Sequence, residues 1–300
     1  MPASTEFVRA GNWVFGTGLR GAASAELFRQ MEARLQAAGS SLSRVARLDQ
    51  YYPDFSCVPP YQAARKQAFE GRQVAPSTSV VISRLQDETS QVDVQVMAAS
   101  AGSGYQLSEV QTGLNRPETS GYAPALRVGD LVFVAGQLAR DGSGKLAVHG
   151  VQAETRYIIE ERLRPALLAA GSGLDLILKA QVYVSQPGEI PAFAPSTVVR
   201  VRHPAFLTRE ATVEINVIAA HRSAASRVRD LKGKARSLDG LLFVGGLNSL
   251  EDAQQIFDLA QVVRGVFFHA RGAAPADPGF PYSAVEVESG PVIDLWGYVP

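Results

Sequence analysis

The sequence predicts an α+β protein in which three related units follow one another along one chain of 300 residues. Three observations predict this. An apolar strand bounded by glycines recurs three times, a helix ending in Ala-Ala-Gly recurs twice, and a pair of alternating strands recurs three times. Repeats in a fixed order indicate that one structural unit is copied along the chain. Because a small unit leaves a sheet face uncovered, we expect the units to pack on one another.

Composition and charge argue against nucleic acid and membranes as partners of this chain. Hydrophobic residues make up 46% of the chain, and 29 basic residues balance 29 acidic ones. A chain without net charge has no field to gather nucleic acid, and no stretch approaches the roughly 20 apolar residues of a membrane span. Residues 1–10 lack the pattern of a secretion signal. We therefore expect a cytoplasmic protein that binds a small molecule, with neither nucleic acid nor a membrane as partner.

Cysteine and histidine give no basis for a disulfide, a metal site or a thiol nucleophile. Cys57 is the single cysteine, so it can form no bridge within the chain and has no second thiol for zinc. The histidines lack the i, i+4 spacing of a helical metal site. They are His149, His203, His221 and His269. We expect neither a metal nor another cofactor.

Each unit is predicted to open with a strand. The matching segments are residues 11–19 (GNWVFGTGL), 129–138 (GDLVFVAGQL) and 240–247 (GLLFVGGL). Each has a turn glycine, then β-branched and aromatic residues typical of strands. A second glycine follows, which permits a bulge or a close approach of another backbone.

Two units are predicted to continue with a helix and a further strand. Apolar residues at i, i+4 and i+8 give each helix one stripe that can pack on a sheet. The stripes are formed by Leu27, Met31, Leu35, Ile159, Leu163 and Leu167. Gly39 and Gly171 stand where a helix C-cap is expected. Strands are predicted to follow at residues 45–52 and 177–184.

Two strands are predicted to close each unit. They are residues 75–82 and 91–97, residues 194–201 and 211–218, and residues 282–287 and 292–298. Alternation of apolar and polar residues with a period of two marks half-buried strands. We expect each pair to form an antiparallel hairpin.

The three units are unequal. We place unit one at residues 1–100, unit two at 119–222 and unit three at 234–300, with linkers at 98–105 and 221–234. Unit one has room for a second helix at residues 61–70, which unit two lacks. Unit three keeps one helix, at residues 250–270. The alternative is that units one and two form one body to which unit three is only attached.

The order of these segments resembles the RidA/YjgF family of reactive-intermediate deaminases. The likeness is best in unit two, in residues 121–125 (GYAPA), 129–138, 169–184 and 213–220 (VEINVIAA). The resemblance implies a chorismate-mutase-like α+β fold with mixed sheets packed on helices. It also implies trimers whose ligand sites lie between neighbouring subunits. Three units in one chain would then form an intrachain pseudo-trimer with three different clefts, and further homo-oligomers stay open.

The resemblance implies where an anchoring cation should lie. In the family, an arginine before the Ser-Thr of the first closing strand holds the substrate carboxylate. The matching positions in this chain are Pro76, Pro195 and Tyr282. Since no unit has the arginine, we do not expect the family's amino-acid-derived substrates to be held in the usual way.

A second family position, an acidic residue that helps to place the attacking water, is retained as Asp93, Glu214 and Asp294. A carboxylate within an apolar strand needs solvent, a partner or a ligand. In a dry cleft its pKa rises toward that of a general acid or base. We predict these three residues as catalytic; the alternative is that each faces water on the polar side of its sheet.

Arginines near Glu214 are candidate replacements for the family arginine. They are Arg200, Arg202 and Arg209. Arg200 and Arg202 alternate with valines, so both side chains should project from one face of the predicted hairpin and form an anion clamp. The alternative is a pair of solvated surface arginines.

Four further binding residues follow from the resemblance. Tyr122 matches the family's aromatic residue near the cleft, and Gly136 with Gln137 matches the segment whose backbone lines it. A glycine there lets backbone donors approach a ligand, although a β-bulge would explain it equally well. Gln62 falls where the family often has a cleft-facing asparagine.

Three functions fit these residues, and we expect an enzyme. The first function is hydrolysis of a C–N bond in a small imine, enamine or related metabolite, with Glu214 as acid or base and an arginine as anchor. The second is suggested by the similarity of residues 209–215 to chorismatases, which act on an enolpyruvyl ether. The third is a non-catalytic, metabolite-binding or chaperone-like module.

Overall fold

The computed structural model describes residues 6–114, 121–231, 234–257, 261–273 and 278–299. In these ranges the chain forms three mixed sheets with helices packed on them, which confirms the predicted α+β class. No helix within the described ranges is both long and apolar enough to cross a membrane. The predicted start of unit two at residue 119, and residues 232–233 of the second predicted linker, lie outside them.

The first sheet belongs to unit one. It consists of β1 (Glu6–Ala10), β2 (Trp13–Gly21), β3 (Val45–Tyr52), β4 (Ser77–Val81) and β6 (Val92–Ala99), while β5 (Arg84–Leu85) joins the third sheet. The strand order is β1-β2-β6-β3-β4. One face is covered by α1 (Ala25–Ala37) and α2 (Val58–Ala68). The predicted stripe of α1 is buried, and Gly39 beyond its end has the positive φ of a C-cap.

The second sheet belongs to unit two. It consists of β7 (Leu107–Glu109), β8 (Ala125–Val128), β9 (Leu131–Gln137), β10 (Ile177–Val184), β11 (Ser196–Arg200) and β12 (Val213–Ala220). The strand order is β11-β10-β12-β9-β8-β7. The edge strand β7 precedes residue 119, where unit two was predicted to start. One continuous helix covers it, formed by α3 (Val151–Tyr157), the π-helical segment Ile158–Leu163 and α4 (Arg164–Ala169). No helix lies between β10 and β11, as predicted.

The third sheet belongs to unit three and borrows β5. It consists of β13 (Arg229–Leu231), β14 (Ala235–Leu238), β15 (Leu241–Val244), β16 (Gln261–His269), β17 (Tyr282–Glu286) and β18 (Val292–Tyr298), with α5 (Leu250–Phe257) beside it. The strand order is β13-β14-β15-β18-β16-β17-β5. Short 3₁₀ turns lie at Leu42–Arg44, Phe55–Cys57, Ala101–Ser103, Leu174–Leu176 and Arg222–Arg227. Two of these turns fall within the predicted linkers, whose described parts are therefore structured.

The predicted closing hairpins are wrong in all three units. In unit one β4 pairs parallel with β3, and β3 lies between β4 and β6. The same arrangement recurs with β11 beside β10 and with β17 beside β16. Alternation identifies a strand but not its neighbour, and a crossover such as α2 produces a parallel pair.

The predicted helix at residues 250–270 is also wrong. Its first part is α5, residues 258–260 lie outside the described ranges, and the last part is the strand β16. The segment from Gln261 to His269 is rich in valine and phenylalanine, which favour strands. It pairs with β18 on one side and β17 on the other.

The second face of each sheet is buried by the other two sheets. Phe15 of unit one, Phe133 of unit two and Trp296 of unit three belong to one apolar cluster. Because both faces are covered, β6 and β12 are buried along their whole length and are not the half-buried strands that the alternation predicted. An intrachain pseudo-trimer requires packing of this kind.

Backbone hydrogen bonds also join the sheets at their edges. The N–H of Val81 on β4 donates to Ala205 O of unit two at 2.9 Å, and the N–H of Gly246 in unit three donates to Ser196 O on β11 at 2.9 Å. In unit three, β17 pairs with β5 of unit one. The first closing strand of each unit is thus bonded to the next unit, in a closed cycle.

Candidate functional site

A cleft of about 400 Å³ lies where α2 and β4 of unit one meet unit two. Both units supply its walls. Its lining includes Phe55, Gln62, Arg65, Ser77 and Ser79 from unit one, and Tyr122, Gly136, Leu138, Arg140, Arg209 and Glu214 from unit two. A seam between consecutive units is where we expected a site. We call this site the open cleft.

Glu214 on β12 provides an acid to the open cleft and is only 5% exposed. The backbone N–H of Ser79 donates a hydrogen bond to its carboxyl group across the seam. A Cβ at Gly136 would overlap this carboxyl group, so the glycine makes room for it. Burial raises the pKa of the Glu214 carboxyl to about 8, although Arg140 and the Ser79 hydrogen bond act in the opposite direction. At neutral pH the group therefore holds a proton that it can give.

Arg65 brings a guanidinium group to the unit-one wall. It lies on α2, is 1% exposed, and donates from Nη1 to the hydroxyl of Ser77 at 2.8 Å. Ser77 directly follows Pro76, one of the positions where the family arginine is lacking. Arg65 was not predicted, because the cation was expected on the strand itself. The signal for it is an arginine on the buried face of a helix, one turn after Tyr61.

Two further guanidinium groups come from unit two. Arg140 follows β9, and its Nε donates to the hydroxyl of Thr208 at 2.7 Å. Arg209 is exposed at the rim, with its guanidinium carbon 4.4 Å from the centre of the Phe55 ring across the seam. Cations on both walls around a buried acid favour an anionic ligand.

Tyr122 and Gln62 also line the open cleft. Burial raises the pKa of the Tyr122 hydroxyl, against the influence of Arg140. A hydroxyl that keeps its proton can donate a hydrogen bond to a ligand. The structure brings five of the predicted site residues together here. They are Glu214, Arg209, Tyr122, Gly136 and Gln62.

Residues 113–221 match the family model described as Endoribonuclease L-PSP. This segment contains the helix of unit two and its strands from β8 to β12, including the strand that carries Glu214. The matched residues coincide with unit two, which is therefore similar to this family. The resemblance predicted from the sequence is thereby confirmed for this part of the chain.

One solved structure shares the fold beyond this unit, and two others match a single unit. A chorismatase aligns with 73% of this chain and 80% of its own, at 14% identity and a TM-score of 0.55. RidA from the Antarctic bacterium Psychrobacter aligns with 38% of this chain and 98% of its own, at 23% identity and a TM-score of 0.31. Yeast Mmf1 aligns with 39% of this chain and 100% of its own, at 20% identity and a TM-score of 0.33. No curated protein matches the sequence. The part shared with the chorismatase is longer than any one unit, so the common fold spans consecutive units.

Three predicted binding residues of unit two lie away from the open cleft. Gln137 is buried, and its Nε2 donates to Ala135 O at 3.0 Å. Arg200 is exposed on the edge strand β11, and Arg202 donates to Pro53 O at 3.0 Å. The predicted clamp of Arg200 and Arg202 does not form, because the hairpin expected to aim both side chains is absent.

Asp93 takes the place of Glu214 in the seam between units one and three, which we call the Asp93 seam. The residue is fully buried, and Arg20 Nε lies 2.6 Å from its Oδ2. The hydroxyl of Ser283 on β17 donates to the same carboxylate at 3.0 Å. Asp93 therefore does not line the open cleft, and a cation of the chain itself occupies the space beside it.

Asp294 takes the same place in the seam between units two and three, which we call the Asp294 seam. It is fully buried, forms an ion pair with Lys179 and accepts a hydrogen bond from Thr197 at 2.6 Å. Burial alone would raise the pKa of Asp294, but Lys179 and Arg264 hold it below its usual value. Like Asp93, it lies against a cation of the chain and not in the open cleft.

The open cleft can therefore support acid–base chemistry on an anion. Its buried acid keeps a proton at neutral pH, and guanidinium groups stand on both walls. No three histidine, cysteine, aspartate or glutamate side chains in the described ranges gather in a way that could hold a metal ion.

Proposed function

We propose that the chain is a small-molecule enzyme of the RidA superfamily that hydrolyses a C–N bond in an anionic imine, enamine or related metabolite of the cytoplasm. The observation that supports this most is the buried carboxyl of Glu214 in a cleft with guanidinium groups on both walls. Arg65 and Arg140 anchor the substrate anion in place of the missing family arginine. Consecutive units of an intrachain pseudo-trimer supply the two walls.

Glu214 acts first as an acid and then as a base. Its proton goes to the terminal carbon of an enamine, or to the nitrogen of an imine, and an iminium ion forms. The resulting carboxylate takes a proton from water as the water oxygen adds to the iminium carbon. Transfer of that proton to nitrogen lets the amine leave while the C=O bond forms, and the hydroxyl proton returns to the Glu214 carboxylate, which restores the acid. A pKa near 8 makes both forms of the carboxyl accessible at neutral pH.

The test measures ammonia and carbonyl product from carboxylate-bearing imines, which an amino-acid oxidase generates in the same solution. We expect the chain to accelerate hydrolysis, and Glu214→Gln to lower the rate by about 100-fold or more. Glu210→Gln is the matched control, since it removes an exposed carboxylate on the segment before the same strand. Equal rates for wild type and Glu214→Gln would refute the proposed role of Glu214.

A second candidate reaction is hydrolysis of an enolpyruvyl ether. The fold shared with a chorismatase over 73% of the chain favours it, and cations on both walls suit a substrate with two carboxylates. Glu214 would protonate the methylene carbon, water would add to the oxocarbenium carbon, and the hemiketal would collapse to pyruvate and an alcohol. Incubation with chorismate, followed by chromatography for pyruvate, separates this reaction from imine hydrolysis.

The same two assays also test the non-catalytic alternative. A metabolite that binds tightly in the open cleft and yields no product after long incubation would favour a binding or chaperone-like module. Product that appears with wild type and disappears with Glu214→Gln would exclude it for that metabolite.

A further inference from the structure

One helix reaches both strand ends that form the unit-two wall of the open cleft. It runs from α3 through the π-helical segment Ile158–Leu163 into α4. Two charged residues on its buried side, Glu154 and Arg162, are 0% and 8% exposed. Neither is among the residues that line the open cleft. The hydrogen-bond partners of Glu154 and Arg162 show which parts of the wall each side chain holds.

Glu154 fixes the start of β12, the strand that carries Glu214. Its Oε2 accepts from the backbone N–H groups of Thr212 at 2.8 Å and Val213 at 3.2 Å. Its Oε1 accepts from the Thr212 hydroxyl at 2.8 Å and from the Gly150 N–H at 3.1 Å. The buried carboxylate is thus satisfied mainly by the two residues that directly precede Glu214.

Arg162 fixes the end of β9 and the segment that follows it. Its Nε donates to Gln137 Oε1 at 3.3 Å, and its Nη1 donates to the backbone carbonyl of Arg140 at 3.3 Å. Between these two residues lies Leu138, which lines the open cleft. The contact therefore holds the part of the wall that carries the Arg140 guanidinium.

The π-helical turn explains why both side chains face the same sheet. Glu154 and Arg162 are eight positions apart, which in an α-helix of about 100° per residue places them roughly 80° apart around the axis. A π turn holds one residue more than an α turn. The extra residue removes about 100° from the separation, so the two side chains come within roughly 20° of one line.

We propose that Glu154 and Arg162 are positioning residues that set the geometry of the open cleft from behind its wall. The proposal rests on the proposed function only in taking the open cleft as the working site. Glu154 keeps the strand of Glu214 closed against water. Arg162 keeps Arg140 near the Glu214 carboxyl.

Removal of Glu154 and removal of Arg162 should shift the titration midpoint of Glu214 in opposite directions. Without Glu154 the strand end loosens and water reaches the carboxyl, so Glu214 should titrate at lower pH. Without Arg162 the guanidinium of Arg140 withdraws, so Glu214 should titrate at higher pH. The other titratable groups near Glu214 are Arg65, Arg209 and Tyr122 in the lining and Asp49 behind it. Arg162 also lowers the pKa of the Tyr122 hydroxyl. Arg162→Met therefore favours the neutral hydroxyl of Tyr122 further and adds no charge beside Glu214.

The test is a ¹³C NMR titration of the Glu214 side-chain carboxyl in the full chain, assigned by its loss in Glu214→Gln. We expect Glu154→Gln to lower the titration midpoint by about one pH unit or more, and Arg162→Met to raise it by a similar amount. The shorter variants Glu154→Asp and Arg162→Lys should shift it in the same directions by less. They replace the first pair if either of those chains does not fold.

Glu160→Gln and Arg164→Met are matched controls. They make the same chemical changes on the exposed side of the same helix, where the two residues form an ion pair at 2.7 Å. Both should leave the Glu214 midpoint unchanged. Folded Glu154 and Arg162 variants that keep the wild-type midpoint would overturn the proposal. Because the titration needs no substrate, a chain that fails every activity assay leaves this result standing.

Discussion

The open cleft and the Asp93 seam are built from the same parts. Each places an acid of the last closing strand against a serine of a neighbouring unit, Glu214 against Ser79 and Asp93 against Ser283. Both acids are buried. The difference lies beside the acid, because Arg20 forms an ion pair with Asp93. In the open cleft no residue at the matching position supplies a charge.

That matching position is Leu138. The segment 136–138 (GQL) of unit two corresponds to the segment 18–20 (GLR) of unit one. In unit one Arg20 lies opposite Asp93. In unit two the register ends with Gln137 opposite Ile215, one step before Leu138 and Glu214. A leucine offers no charge, so Glu214 keeps a proton and faces a cavity. Beside the acid, the open cleft and the Asp93 seam thus differ in the side chain at this position of the opening strand. The Asp294 seam obtains its cation from β10 of unit two instead.

The largest effect is expected where a closed seam loses its cation. Lys179→Met leaves the carboxylate of Asp294 buried without its partner, which should lower the free energy of unfolding by about 4 kcal/mol. Urea denaturation measures the change. Replacing both members of the pair, with Asp294→Leu as the second change, should restore most of the loss. The exposed Lys66→Met is the control, and a loss below about 1 kcal/mol in the single variant would show that the ion pair does not hold the seam closed.

The next effect concerns the open cleft, whose acid should make stability depend on pH. The pKa of Glu214 is raised from 4.5 to about 8 in the folded chain, so between these values the folded chain holds a proton that the unfolded chain has lost. The contribution of Glu214 to the free energy of unfolding is complete below the pKa of the unfolded chain. It is lost as pH rises toward the pKa of the folded chain. Relative to Glu214→Gln, wild type should lose on the order of 3 kcal/mol of stability from about pH 5 to pH 8. A difference that stays constant across this window would contradict a buried neutral acid.

Features set by local sequence could be predicted, whereas strand neighbours could not. The strands β3 and β10 were predicted with the bounds that the structure shows, because apolar runs after a helix-ending glycine are a local pattern. The partner of β4 depends on α2, which carries the chain across the sheet before β4 begins. Nothing in the alternation of β4 itself reports that crossover.

In the candidate site, too, residues within local sequence motifs could be predicted, whereas those placed by tertiary packing could not. Glu214 and Gly136 could be predicted because each lies within a strand motif that repeats along the chain. Arg65 could not, since it reaches the open cleft only through the packing of α2 beside β4. The ion pairs of Asp93 and Asp294 also join distant parts of the sequence, so the sequence pattern could not tell closed seams from the open one.

A smaller loss of stability is expected when Arg20 in the Asp93 seam is replaced by leucine, the residue at the matching position of the open cleft. Arg20→Leu removes the cation, while Ser283 and Gln95 still donate to the carboxylate, so we expect a loss of about 2 kcal/mol at neutral pH. Urea denaturation measures the loss. Arg29→Leu on the exposed face of α1 is the control. A loss below about 0.5 kcal/mol in the Arg20 variant would show that this cation is not what distinguishes the seam from the cleft.

The smallest effect on stability is expected at the rim of the open cleft, where Arg209 lies over the ring of Phe55. An exposed contact of this kind contributes about 0.5 kcal/mol, so Arg209→Met and Phe55→Leu should both fold normally. Turnover should separate them. Arg209→Met removes a charge that attracts an anionic substrate, so kcat/KM should fall and lose part of its dependence on salt. Phe55→Leu keeps the charge and should keep the salt dependence. Equal losses of kcat/KM in both variants would mean that the rim affects turnover through its shape and not through the charge of Arg209.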